Sequence, residues 1–165
     1  MQERILAPLT REHTTFEATD AIRVRIAKGY DLDSAGRLSS ALAMQGHDGR
    51  GMRVPIGGLY STVGDLARFV AFALGEGPDV VLKRPVLQET LDRLNWTSAR
   101  VDFAYGIGMQ IRRVGNLVAY GHDGDIAGYV ANVRFDRASK TGTRLYTPRL
   151  LPRTDSGSLP DGLIT

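Results

Sequence analysis

Apolar residues recur at Val63, Leu66, Phe69, Val70, Ala73 and Leu74, the 3.6-residue stripe of a helix that lays one face on a core. The spacing predicts a helix over Val63 to Leu74. Thr62 stands at its N-cap with Asp65 three residues on, near the positive end of the dipole, and Gly75 follows as a C′ residue. A second helix is predicted from Pro85, whose missing N–H does no harm in a first turn, with Leu87, Leu91 and Leu94 on one face and an end near Asn95-Trp96. Beyond it the period falls to two. Tyr105 to Arg112, Leu117 to Tyr120 and Tyr129 to Phe135 are short, rich in β-branched and aromatic residues, and separated by Arg113-Val114-Gly115-Asn116 and by a Gly-Asp segment. Two helices followed by a run of strands predict an α+β fold with an antiparallel sheet.

Elsewhere no period survives. Little regular structure is predicted over Glu3 to Tyr30, and Asp31 to Pro55, full of glycine, serine and aspartate, reads as a long surface connection. Thr143 to Thr165 carries Pro148, Pro152 and Pro160 without a sustained pattern. Residues 143–165 are therefore expected to form an irregular or disordered tail behind a body spanning residues 1–142.

With 42% apolar and 24% charged residues over 165 positions, the chain has ordinary globular composition and enough length to bury a core without staples. The absence of cysteine removes disulfides, thiolate nucleophiles, zinc ribbons and iron–sulfur clusters, and leaves the redox compartment unread. Lysine and arginine total 21 against 18 aspartates and glutamates, but the arginines are scattered among acids, as at Arg11-Glu12 and Asp92-Arg93. No basic stripe exists, so nucleic acid is not expected as a partner. The longest apolar run, Phe69 to Leu74, is far short of the ~20 residues of a membrane span. Gln2-Glu3-Arg4, running into Pro8, is not the opening of a signal peptide, and the compartment stays open.

The tetrapeptide Gly-His-Asp-Gly occurs at Gly46 to Gly49 and again at Gly121 to Gly124, with unmatched flanks. In the first copy His47 reads as a solvated side chain and Asp48-Gly49 as a turn. The second follows a predicted strand, where a polar residue and a glycine can present a site on a sheet edge. His13, His47 and His122 fit no metal-ligand spacing. Asp123 and Asp125 flank His122 and would favour its protonated form if their side chains approached it. Lys140-Thr141-Gly142, after Asp136-Arg137-Ala138-Ser139, reads as part of a turn.

Five strings, in order, resemble the C-terminal half of the serine β-lactamase-like family, which includes class C β-lactamases, esterases and D-stereospecific peptidases. They begin with Ile5-Leu6-Ala7-Pro8-Leu9 and Thr14-Thr15-Phe16, similar to F-x-P-L-G-M-x-x-T, and continue at Ala27-Lys28-Gly29-Tyr30. The most specific runs from Pro55 through Gly57-Gly58-Leu59 and Ser61-Thr62 to Asp65-Leu66-Ala67-Arg68-Phe69, similar to P-x-G-G-L-x-S-T-x-x-D-L-A-R-F. Tyr105-Gly106-Ile107-Gly108-Met109-Gln110 resembles Y-G-L-G-W, and Gly121-His122-Asp123-Gly124 with Gly128-Tyr129 resembles G-H-x-G-x-x-x-G-Y.

The resemblance implies part of a β-lactamase/transpeptidase-like fold, an antiparallel sheet flanked by helices, incomplete in this chain. It implies that His122 faces the pocket, that Gly124 lets substrate approach closely, and that the N–H of Asp125 helps form the oxyanion hole. Asp125 stands where a small residue is usual, so its carboxylate is expected to point to solvent. The implied substrate is a small-molecule ester, amide or β-lactam, hydrolysed through an acyl-enzyme without metal or cofactor. The family's nucleophilic Ser-x-x-Lys and its Tyr-x-Asn do not occur: Arg25, Val80 and Arg137 stand three residues before the lysines, and no tyrosine has asparagine two positions later. The chain is accordingly expected to be a truncated piece, inactive alone, that self-associates or pairs with a missing N-terminal half. The competing expectation is a non-catalytic α+β module that binds a peptide or protein partner through an exposed sheet edge.

Overall fold

The computed structural model describes residues 1–45, 49–95, 102–126 and 128–148. The described α-helices are α1 (Asp20–Arg23), α2 (Ser40–Gln45), α3 (Val63–Ala71) and α4 (Arg84–Asp92), with shorter helical turns over Gln2–Leu6 and Gly51–Arg53. Strands β1 (Asp31–Leu32) and β2 (Leu38–Ser39) make a small hairpin. Strands β3 (Leu94–Asn95), β4 (Phe103–Gly106), β5 (Gln110–Val114), β6 (Leu117–Ile126), β7 (Tyr129–Asp136) and β8 (Thr141–Pro148) form one six-stranded antiparallel sheet in sequence order. This is the predicted α+β class.

Helix α3 starts where its cap lies: the Asp65 N–H donates to Thr62 Oγ1 at 3.2 Å. A wider turn over Phe72–Glu76 continues it, and Gly75 at φ +89° reverses the chain. Its apolar stripe, with Leu87 and Leu91 of α4, packs on Phe135 of β7 and on Leu9 to make the core. Phe135 stacks on its register partner Tyr120 of β6, ring centroids 5.8 Å apart. Tyr120 and Val133 lie at the margin of this core, so the helices cover the face of the sheet that carries Tyr120, Val133 and Phe135.

Several boundaries differ from the sequence expectation. The segment 31–55 holds β1, β2 and α2: Asp33 accepts from the N–H groups of Ala35 and Arg37, both at 2.9 Å, and so closes the hairpin turn. Two-residue strands are too short to show a period. Helix α4 stops at Asp92, and Leu94 lies in β3 opposite Gly106. The single strand expected over Tyr105 to Arg112 is β4 and β5, separated by a tight turn in which the Gly106 N–H donates to Met109 O at 2.7 Å. Strand β6 runs on through Gly121-His122-Asp123-Gly124 because β7 pairs with it as far as Ile126. Pairing with β7 likewise carries β8 to Pro148, which corrects the irregular tail expected from Thr143, while residues 149–165 lie outside the described ones.

Two glycine sites fix loops around the sheet. At Gly58 a Cβ would stand 2.3 Å from Val54 O, and the left-handed conformation belongs to its neighbour Gly57, at φ +71°. Gly128, between β6 and β7, has φ +81° and would bring a Cβ to 2.7 Å from Ala43 Cβ and 2.8 Å from Tyr30 O. The neighbouring Tyr129 hydroxyl donates to Ala27 O at 2.7 Å. The Ala27-Lys28-Gly29-Tyr30 string is thus locked onto the end of the β6–β7 hairpin.

Candidate active site

Strand β5 begins at Gln110, opposite Gly121. From His122 to Ile126, β6 therefore has β7 on one side and, among the described residues, no paired strand on the other. Among the described residues an internal strand of the sheet is thus left with one paired neighbour at this point. His122, Gly124 and Asp125, the residues the sequence singled out, all lie on it and are all exposed. Among the described residues a Cβ on Gly124 would meet only Ala131 Cβ, at 3.8 Å.

His122 shares its face of β6 with Tyr120 but lies past the helical cover. Two contacts hold its ring. Nδ1 is 2.5 Å from the carbonyl oxygen of Asp123, and Nε2 is 3.0 Å from the hydroxyl of Tyr105 on β4. The two rings meet edge-on, at 83° with centroids 6.0 Å apart. Tyr105 was quoted in the Tyr-Gly-x-Gly string without a role; the register aligns it with Gln110 and Gly121, one residue short of His122, and its hydroxyl reaches the imidazole across that step, a contact with no local sequence signal.

Asp123 points to the opposite face, as successive strand residues must. There its carboxylate takes two 2.7 Å hydrogen bonds from Arg134, another from Asn132, and has Arg112 at 3.9 Å. Arg134 also donates to Gln110 at 2.9 Å. The approach of its side chain to His122 that the sequence left open is not made by Asp123: the carboxylate is bound by Arg134 and Asn132, and the backbone carbonyl is what reaches the imidazole.

The Ser61-Thr62…Asp65…Arg68 string serves the scaffold. Asp65, fully buried, accepts from Thr14 Oγ1 at 2.7 Å, from the His13 N–H at 2.9 Å and from Arg68 at 3.1 Å. Thr14 is also 2.9 Å from Ser61 Oγ, to which Arg11 donates at 3.3 Å. Burial depresses the pKa of Arg11, and the charge of Asp65 opposes that shift. The Thr14-Thr15-Phe16 and Ser61-Thr62 strings are thus two sides of one polar junction. His13 stands here through its backbone, His47 lies outside the described residues, and among the described residues no group of three or more histidine or acidic side chains gathers to hold a metal.

Lys140-Thr141-Gly142 closes the β7–β8 hairpin. Asp136 accepts from the Ser139 N–H and Oγ, both at 2.7 Å, and from the Val118 N–H at 3.2 Å, and Lys140 turns the chain at φ +54°. His122 lies on a different strand, β6.

The family model described as Beta-lactamase matches residues 1–160. The chain belongs to the Beta-lactamase family. Among solved structures, the Beta-lactamase/D-alanine carboxypeptidase from Pseudomonas syringae is similar at TM-score 0.71 and 16% identity, over 92% of this chain and 48% of that one. The D-amino acid amidase from Ochrobactrum anthropi SV3 gives 0.65 and 23%, over 88% and 41%. The octameric penicillin-binding protein homologue from Pyrococcus abyssi gives 0.65 and 20%, over 90% and 33%. At these identities the likeness is one of fold, and the chain spans between a third and a half of the length of each. No curated protein matches.

Proposed function

We propose that this member of the Beta-lactamase family supplies the His-x-Gly wall of a serine hydrolase site and works with a second segment that carries the nucleophile. The reaction is acyl transfer: a serine oxygen attacks the carbonyl of a small ester, amide or β-lactam, the leaving group departs with a proton, and water hydrolyses the acyl-enzyme. Here His122 faces the substrate, Gly124 lets it lie against the backbone, and the Asp125 N–H is one of two donors to the oxyanion. A single such donor is typically worth about 3 kcal/mol in the transition state. The observation that carries this reading is the stretch of β6 from His122 to Ile126, which pairs with β7 on one side and with no described strand on the other, and which is headed by an exposed, doubly held imidazole. The same stretch supports a second reading, in which an extended peptide pairs with β6 and no chemistry follows.

Among the 165 residues no Ser-x-x-Lys exists to activate a hydroxyl. Purified chain, incubated with nitrophenyl acetate and a chromogenic cephalosporin, is expected to give no turnover above a His122→Ala control. Turnover that the substitution abolishes would place a nucleophile within these residues and overturn the two-segment reading.

A further inference from the structure

We propose that Tyr105 is a positioning residue that locks His122 in its neutral Nδ1–H tautomer; the proposal rests on the reading that His122 faces substrate. A backbone carbonyl only accepts hydrogen bonds, so the 2.5 Å approach of Asp123 O to Nδ1 requires the proton on that nitrogen. In a neutral ring Nε2 is then the acceptor, and the Tyr105 hydroxyl 3.0 Å away is its donor. Tyr105 pairs with Asn95 on one side and Gln110 on the other, so its backbone is held by two strands while its ring meets the imidazole edge-on. Asp123 is fixed as well, because its carboxylate is anchored by Arg134 on the opposite face.

One consequence concerns the chemistry of the site. With Nε2 turned to the Tyr105 hydroxyl and Nδ1 to the Asp123 carbonyl, His122 presents a fixed ring as a wall. A phenol both donates and accepts, so a proton reaching Nε2 would reverse the direction of the hydrogen bond without displacing either ring.

The test uses the chain labelled with 15N-histidine, which has three histidines, with the His122 signals assigned by their loss in His122→Ala. At neutral pH the proposal expects a pyrrole-like Nδ1 and a pyridine-like Nε2. Tyr105→Phe, checked for unchanged circular dichroism, should lower the ratio of the Nδ1–H to the Nε2–H tautomer about fivefold, the worth of one neutral hydrogen bond. A wild-type ring protonated at Nε2 overturns the proposal, whether or not the variant folds. An Nδ1–H ring unmoved by Tyr105→Phe overturns it too, since Asp123 alone would then fix the tautomer. Neither result depends on hydrolysis, so failure of this proposal and failure of the proposed function are read separately.

Discussion

Replacing Asp65 by alanine removes a fully buried carboxylate with three side-chain and backbone donors around it. The His13 N–H and the Thr14 hydroxyl lose their acceptor in a dry site, at roughly 1–3 kcal/mol each. Arg68, half exposed, is rehydrated and contributes little. Arg11, only 4% exposed, stays beside Ser61 and loses the carboxylate whose charge opposes its desolvation, which adds to the cost. The sum is about 3–5 kcal/mol, in line with the removal of one partner from a buried ionic cluster. Against a usual domain stability of about 5–15 kcal/mol this is a large share. In urea, where m is about 1–3 kcal/mol/M, the unfolding midpoint should fall by more than about 1 M. Asp65→Asn retains an acceptor oxygen and should lose less than half as much. Equal midpoints for wild type and Asp65→Ala would refute the claim that this junction holds the Thr14 segment to α3.

Gly128→Ala combines a left-handed φ with overlaps below 3 Å and should cost about 3 kcal/mol, whereas Gly108→Ala, at φ +72° with open space around it, should cost about 1 kcal/mol; equal melting shifts would contradict the packing argument. Asp136 has its pKa lowered, first by the Ser139 hydroxyl and then by the Ser139 N–H, so its contribution to stability is present above the unfolded carboxylate value of about 4 and is lost as pH falls through the folded one. Urea titrations at pH 7 and pH 3 should therefore show a smaller acid loss in Asp136→Asn than in wild type, and an equal loss would remove Asp136 from the account.

The long amphipathic helix α3 was legible because its stripe, cap and C′ glycine agree, and the strands rich in Tyr, Val and Phe showed their period. Strand β6 was read only as far as Tyr120, since Gly121, Asp123 and Gly124 are poor strand formers and β7 holds them in place by pairing. The two-residue strands β1, β2 and β3 carry no periodicity to read. His122, Gly124 and Asp125 came from resemblance, and the structure brings them to one stretch of β6. Tyr105 escaped notice because its partner stands 17 positions away and meets it only through the sheet register. The Asp65 junction stayed hidden for the same reason: Thr14 and Asp65, 51 positions apart, each look like ordinary caps in isolation.

The central claim is that β6 forms one wall of a serine hydrolase site completed by another segment. Its most direct test is reconstitution. The reading frame upstream of Met1 is searched for Ser-x-x-Lys and Tyr-x-Asn, the segment bearing them is expressed and combined with this chain, and hydrolysis of nitrophenyl acetate is measured. The account predicts activity that neither piece has alone and that falls at least tenfold with His122→Ala in a mixture that still associates. An associated mixture that is inactive, or one that hydrolyses the ester equally well with His122→Ala, would contradict it.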